Sequence, residues 1–425
     1  MKKIYMLGIG GISMSSLAIF LKEKGFYVCG SDDKESKTIE ILKKNNIEVD
    51  ILPNFSKIDS CDTVVYSSAI KPGNLQFEFA KSRNKNLLTR GQILGFISND
   101  YEKVIAVAGA HGKTTTTAMI YQILKVAGLN PTLHLGGFKI EDSMNYEIGE
   151  KEFFVTEACE YCDNFLNLNP FISVVTNVEK EHLDYFKTFE NQLKSFEKFK
   201  KQSRYVVDNT QNLKAKYIRH DKQGNLIFSL YDCDKKIMRL HLKICEEINT
   251  QNCIYAYLVA KKLGLNDEII KMGLESFKGV ENRFQKAKSE YFENVIIDYA
   301  HHPTEIEKAI KSAKKIFKNK KIIIIFQPHT YSRTKNLFSQ FYEVFKNESC
   351  PVFFKTYSAR EKPEEGFSAK QFVRMLKKYN KNAIYFEKYE DLINFLIKFN
   401  KKETVLLFIG AGDLPEILNK NKFIE

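Results

Sequence analysis

The chain has 425 residues, 44% hydrophobic and 28% charged, ordinary values for a globular protein with enough chain for about two to four domains. No apolar run approaches the roughly 18 residues that a membrane-crossing helix needs, so no membrane partner is expected. The 65 Lys and Arg against 52 Asp and Glu leave a formal net charge of +13. The lysines are spread along the chain, often beside Asn and Ile, and Arg is scarce. This reads as a solvated surface serving an anionic substrate, with no nucleic-acid partner.

Lys2-Lys3 and the short apolar run after them superficially suggest a signal peptide. The run breaks at Gly8, Gly10 and Gly11 and has no small-residue cleavage site, so residues 2–8 read as a first β-strand of a cytoplasmic protein. The eight scattered cysteines are then expected to be reduced. A helix follows with Met14, Leu17, Ala18 and Leu21 at helical spacing, and a second strand, Tyr27–Gly30, ends in Ser31-Asp32. This is a βαβ start with a G-x-G-G turn and an acidic residue beyond the second strand, an arrangement that binds nucleotides. Ser13 stands where the third glycine of a dinucleotide fingerprint would fall. It argues against NAD, while the turn can still hold a diphosphate. A further strand from Thr63 ends in the small hydroxyls Ser67 and Ser68, and the first domain is expected to span residues 1–97.

The apolar run Val104–Ala108 reads as a buried strand that breaks at Gly109, and a helical pattern (Ala118, Ile120, Ile123, Leu124, Ala127) runs from Thr115 to Gly128. Strand, glycine turn and helix N-terminus make a phosphate cradle, in which amide N–H groups and the helix dipole attract the anion. Lys113 would reach the terminal phosphates of a nucleoside triphosphate, and the Thr114 hydroxyl would coordinate Mg²⁺. The loop is a shortened G-x-H-G-K-T, because the standard spacing needs glycine at 107, where this chain has Val. The strand Glu152–Glu157 ends in a carboxylate, the expected position of a Mg²⁺-liganding acid. Cys159 and Cys162 have redox or zinc spacing, but no second C-x-x-C completes a zinc site, so the pair reads as coincidental. His182 follows the strand Phe171–Asn177, beyond a strand carboxyl end where ligands bind in α/β sheets. A structural role and a metal or phosphate role remain open for it. Residues 187–248 are expected to finish this sheet, and the second domain to span 98–280.

The third domain, 281–425, starts from Asn294–Asp298, a strand followed by Tyr299-Ala300-His301-His302 and a helix with Pro303 in its first turn. The strand Lys321–Phe326 ends in Gln327-Pro328-His329-Thr330-Tyr331-Ser332-Arg333-Thr334, and Thr404–Ile409 ends in Gly410-Ala411-Gly412-Asp413. Polar and glycine clusters at three strand ends, with helices between, predict an α/β domain with a functional rim.

Taken together, G-I-G-G, G-A-H-G-K-T-T-T, E-A-C-E-Y, T-N-V-E-x-E-H-x-D-Y-F, D-Y-A-H-H-P-T-E and F-Q-P-H-T-Y-S-R-T occur in one order from residue 4 to about 413. The chain resembles the Mur ligases, and the last two motifs point to the branch that adds L-alanine. The resemblance implies three α/β domains: a Rossmann-like UDP-binding domain, a central P-loop ATPase domain with a parallel sheet, and a Rossmann-like C-terminal domain. It implies ATP and Mg²⁺, with UDP-N-acetylmuramic acid and L-alanine as substrates, in a monomer or weak dimer. ATP would phosphorylate the lactyl carboxylate, and the amine would attack the acyl phosphate. Gly109, Ala110, His111, Gly112, Lys113, Thr114 and Thr115 would wrap ATP, with Asn252, Arg283 and Asp298. Thr114, Glu157 and His182 would hold metal. Gly8, Gly10, Gly11, Asp32, Ser67, Ser68 and His301 would receive the UDP substrate. His329 and Arg333 would join Lys113 and His182 in catalysis, meeting the substrate carboxylate and phosphate. The C-terminal domain is expected to close over the other two.

The chain departs from the family pattern at Asn282, where a second Arg is usual before Phe284, at Gln251 and Tyr255 on the adenine side, and at Ser13 and Cys162. Three rivals predict different behaviour. A ligase that attaches a tripeptide to the same UDP sugar would need the tripeptide. A nicotinamide dehydrogenase fused to an ATPase would bind NAD. A basic nucleic-acid-dependent ATPase would bind DNA or RNA in a strongly salt-dependent way.

Overall fold

The computed structural model describes residues 2–71, 73–209, 212–359, 361 and 366–424. The chain forms two compact units. One comprises Met1–Ile218, Ile227–Lys243 and Ile248–Val280; the other comprises Arg219–Leu226, Ile244–Glu247 and Glu281–Glu425.

The first unit holds two main sheets. In one, the strands Glu48–Asp50, Tyr27–Ser31, Lys3–Leu7, Thr63–Tyr66 and Asn86–Thr89 lie side by side in that order, all parallel. Sequence order 3-2-1-4-5 puts a topological switch between the first and fourth strands, directly at the Gly8–Gly11 turn. In the other sheet the order is Tyr205–Val207, Ile172–Val175, Lys103–Ala108, Glu150–Glu157, Pro131–His134 and Tyr146–Glu147, with only the last strand antiparallel. Val104–Ala108 and Ile172–Val175 are buried along their whole length, as strands covered on both faces must be. Three parallel neighbours, Ile172–Val175, Lys103–Ala108 and Glu150–Glu157, therefore deliver the loops after residues 175, 108 and 157 to one edge.

Residues 187–248 do not simply finish that sheet. Tyr205–Val207 joins it, but Leu213–His220, Leu226–Asp232 and Lys235–Leu242 form a separate three-stranded sheet. The reason is visible along the last of these, where buried Met238, Leu240 and Leu242 alternate with exposed Arg239 and His241. Such a strand has one wet face and cannot sit inside a sheet covered on both sides.

The second unit carries the strands Gln285–Ala287, Asn294–Asp298, Thr404–Ile409, Lys321–Phe326, Pro351–Phe354 and Ile384–Phe386 in that order, parallel except for the first. Period-2 alternation divides Lys321–Phe326 between two cores. Ile322, Ile324 and Phe326 pack on one face, and Ile323 and Ile325 on the other. Asp298, Ile409 and Phe326 are in register, so the polar segments that follow them emerge together. Among the described residues no helix is long and apolar enough to cross a membrane.

Candidate active site

The glycine loop is held in shape by the neighbouring strand end. Thr176 Oγ1 donates to the His111 carbonyl (2.7 Å), and Asn177 Nδ2 donates to the same oxygen (2.9 Å). The amides of Ala110 and His111 donate back to Asn177, at 3.2 and 3.0 Å. Gly109 and Gly112 have φ of 132° and 84°, in the region that L side chains avoid. A Cβ at Gly109 would lie 2.2 Å from Thr176 Oγ1, and one at Gly112 would lie 2.4 Å from Asn252 Oδ1. Asn252 is thus brought against the loop, from the helix Asn249–Lys262. Tyr255 on the same helix donates its hydroxyl to the Thr176 carbonyl (2.6 Å), so it braces the loop.

Lys113 opens the helix Lys113–Val126, with Thr114 buried and Thr115 half-buried on its first turn. Its ammonium donates to the Gly109 carbonyl, and to Glu160 Oε1 at 3.3 Å. Burial disfavours the Lys113 charge, but Glu160, Cys159, Glu157 and Glu181 outweigh it and raise the pKa above the ordinary lysine value. Lys113 is therefore a fixed cation at the helix N-terminus.

Glu157 ends its strand with Oε1 accepting from the Gly136 amide (2.7 Å). A Cβ on the adjacent Gly137 would touch the Thr114 methyl at 3.2 Å, so Thr114 and Glu157 flank one glycine pair. His182 has φ of 55°, lies with its ring 4.8 Å from that of Tyr161, and places Nε2 3.7 Å from Glu160 Oε1. Among the described residues, the group of ligating side chains able to hold a metal is Glu160, Glu181 and His182, whose atoms lie within 4.8 Å of one another. Glu160 is 1% exposed, and its Oε2 has no hydrogen-bond partner. A buried, orphaned carboxylate oxygen beside a second carboxylate fits a hard divalent cation such as Mg²⁺. Sequence reasoning took Glu157 from E-A-C-E-Y and passed over Glu160 in the same motif. Cys159 and Cys162 belong to no metal-capable group among the described residues.

The Gly8–Gly11 turn folds against Asp32, whose Oδ2 accepts from the Gly10 amide at 2.9 Å. The Gly8 and Ile9 amides bond the Ser31 carbonyl. Ser67 Oγ accepts from the Ala69 amide (3.3 Å), and Ser68 is exposed.

The second unit has its own constellation. Asp298 is 7% exposed and accepts from the Phe284 and Ala300 amides, at 2.8 and 2.7 Å. Burial raises its pKa to about 6, against these two bonds and the Arg283 charge. Arg283 lies over the Tyr299 ring, 5.2 Å from the centroid. His301 belongs to this unit, its Nδ1 3.0 Å from the Tyr299 carbonyl and its ring 6.2 Å from that of His329. Arg333 Nη1 donates to His329 Nδ1 (3.0 Å), which leaves the hydrogen of the neutral ring on Nε2. Burial, then Arg333 and His301, hold the His329 pKa down to about 4, so the ring is neutral near pH 7. Glu361 accepts from the amides of Tyr331 and Ser332 (2.8 and 3.0 Å) and fixes the His329–Arg333 turn.

Comparison with known proteins matches three consecutive family descriptions. The Mur ligase family catalytic domain covers residues 3–102, the Mur ligase middle domain 107–247, and the Mur ligase glutamate ligase domain 282–412. The UDP-N-acetylmuramate–L-alanine ligase of Caldicellulosiruptor bescii is 37% identical over 99% of this chain and 98% of its own length. The chain belongs to the Mur ligase family. A second Mur ligase, the UDP-N-acetylmuramate–L-alanine ligase of Caldanaerobacter subterraneus, is 36% identical over 100% of this chain and 97% of its own. The crystal structure of UDP-N-acetylmuramate-alanine ligase MurC from Thermotoga maritima superposes with a TM-score of 0.86 and 26% identity, covering 99% of this chain and 98% of that one.

Proposed function

We infer that this Mur ligase joins L-alanine to the lactyl carboxylate of UDP-N-acetylmuramic acid at the expense of ATP, giving ADP and phosphate in peptidoglycan precursor synthesis. The observation that carries this reading is full-length similarity to L-alanine ligases, in a chain whose glycine loop fixes a charged Lys113. A carboxylate is a poor electrophile, so its oxygen first takes the γ-phosphoryl group; a P–O bond forms, and the bond to ADP breaks. The free amine of L-alanine then attacks the acyl carbon and loses a proton, and the C–O bond to phosphate breaks. No protein nucleophile is needed, and the enzyme's contribution is positioning and charge neutralisation. Lys113 faces the phosphates as a fixed cation, while Thr176 and Asn177 hold the loop amides in place. Mg²⁺ supplies further positive charge at the transferring group; Thr114 and Glu157 would hold one ion, and Glu160, Glu181 and His182 another. Gly8, Gly10, Gly11, Asp32, Ser67 and Ser68 receive the UDP moiety. Neutral His329 and Arg333 would meet the substrate carboxylate and phosphate, and Arg283, Asp298 and His301 would serve the nucleotide and substrate from the same unit. The protein is cytoplasmic, a monomer or weak dimer, with domains 1–97, 98–280 and 281–425.

Phosphate release is the test, measured with ATP, Mg²⁺ and UDP-N-acetylmuramic acid, with and without L-alanine. Release that requires both substrates and is lost in Lys113→Ala is expected. Release with a tripeptide in place of L-alanine would move the enzyme to the tripeptide-adding branch.

A further inference from the structure

Arg90 lies outside every motif above, yet the first unit builds a support around it. It opens the helix Arg90–Ser98, whose Thr89 cap forms a reciprocal capping box with Gln92. A Cβ at Gly91 would come 2.3 Å from Asn164 Oδ1, and one at Gly95 would come 2.3 Å from the Asn167 carbonyl. These two glycines, one turn apart, let the helix lie directly on Tyr161–Asn167, the segment that follows Glu160.

The Arg90 guanidinium donates from Nη1 to Ser13 Oγ (3.1 Å), beside the Gly8–Gly11 turn. Ser13 Oγ is 2.9 Å from His134 Nε2, and His134 Nδ1 is 2.8 Å from Thr156 Oγ1. Thr156 in turn donates to the Glu157 carbonyl (3.0 Å). The direction of each hydrogen follows. Thr156 gives its one hydroxyl hydrogen to that carbonyl, so it accepts from His134 Nδ1–H. His134 is 2% exposed, and burial, then the Arg90 charge, lower its pKa to about 3, so it is neutral. Its Nε2 therefore has no hydrogen and takes the one on Ser13. The Ser13 oxygen is left to accept from Arg90. The serine that breaks the dinucleotide glycine pattern is thus the acceptor that orients a guanidinium. Among the described residues Arg90 pairs with no carboxylate, and its other N–H donors remain for an incoming anion.

We propose that Arg90 binds the diphosphate of the UDP-sugar substrate, with Ser13 and His134 as the residues that position it. This rests on the UDP-sugar reading above. Guanidinium is suited to the task, because its planar fork matches phosphate oxygens. A half-buried cation beside a glycine turn also gains most from such an anion.

The test is calorimetric titration of UDP, UDP-N-acetylglucosamine, UDP-N-acetylmuramic acid and ADP into the wild type, Arg90→Ala and Ser13→Ala. Arg90→Ala is expected to weaken all three uridine ligands by about the same factor, roughly 10- to 100-fold, and to leave ADP affinity unchanged. Its dependence of affinity on salt should also be shallower. Ser13→Ala keeps the charge and loses its orientation, so a smaller loss with the salt dependence retained is expected. Unchanged UDP affinity in Arg90→Ala would overturn the proposal. So would a loss confined to UDP-N-acetylmuramic acid, which would assign Arg90 to the lactyl carboxylate, or an equal loss of ADP, which would make it structural. A wild type that binds no uridine ligand would instead overturn the reading beneath it.

Discussion

Replacing Gly112 with Ala tests whether the glycine loop must hold its observed shape to receive ATP. At φ of 84° an alanine is in the left-handed region, which costs about 1–2 kcal/mol. Its Cβ would also stand 2.4 Å from Asn252 Oδ1, well inside contact distance. Asn252 has little freedom to retreat, being 4% exposed and bonded through Nδ2 to Asn249 Oδ1 at 2.9 Å. The free protein relieves this strain by letting the loop leave its conformation, so nucleotide binding must restore it. The backbone contribution alone then weakens binding about 5- to 30-fold, and the contact with Asn252 adds to it. Titration of ADP with Mg²⁺ measures the loss, and Gly112→Ala combined with Asn252→Ala separates its parts. Measured against Asn252→Ala alone, the double variant should show the backbone penalty without the contact. ADP affinity in Gly112→Ala within about twofold of wild type would refute the reasoning, because 1.4 kcal/mol is tenfold in an equilibrium constant.

Three further outcomes follow from particular contacts. Glu160→Gln removes a buried charge that lies 3.3 Å from Lys113 Nζ and offers an orphaned oxygen; the Mg²⁺ concentration for half-maximal phosphate release should rise at least about tenfold, and an unchanged Mg²⁺ titration would exclude Glu160 as a ligand. In Gly95→Ala, helix propensity alone would stabilise by up to about 1 kcal/mol, yet the new Cβ would sit 2.3 Å from a backbone carbonyl, so denaturation should come at lower temperature, and a rise would mean the helix is free to shift. His134 has its pKa lowered from 6.5 to about 3, so the unfolded chain takes the proton first as pH falls. Its contribution is complete above pH 6.5 and is lost toward pH 3 at up to about 1.4 kcal/mol per pH unit; His134→Gln should flatten the acid limb of a stability profile, and an identical limb would show that other groups set it.

What could be read from the sequence and what could not divides along physical lines. Val104–Ala108 and the run from Ile322 to Phe326 announced themselves as strands because a strand buried on both faces must be apolar at every position. The segments after such strands lie at a parallel sheet's carboxyl edge, which singles out Lys113 and His329; Glu157 and His182 follow in the same way from Glu152–Glu157 and Phe171–Asn177. Only Lys235–Leu242 alternates cleanly, the mark of a strand with one wet face; Leu213–His220 and Leu226–Asp232 do not, so the three strands were not legible as one separate sheet. Tyr255 reads in the sequence only as a departure from the family's adenine-side pattern, and the bond to the Thr176 carbonyl, 79 positions away, makes it a brace.

Ser13 shows most clearly how a local reading stops short. By pattern it is a missing glycine, and the pattern argues against NAD. Its partners lie 77 and 121 positions away along the chain, on elements that only the packed sheets bring together. A hydroxyl there is costly to bury unless both its hydrogen and its lone pair are used, and His134 and Arg90 use them. The same requirement acts on His134, whose second nitrogen needs Thr156, and on Thr156, whose hydrogen needs the Glu157 carbonyl. Each residue in the chain is thus fixed by the hydrogen-bonding needs of the next, from a half-buried cation to the backbone of a carboxylate that ends a core strand. A substitution at any one link leaves an unpaired polar group at another, so the serine, histidine and threonine act as one unit, and their single-variant effects on UDP affinity should not add.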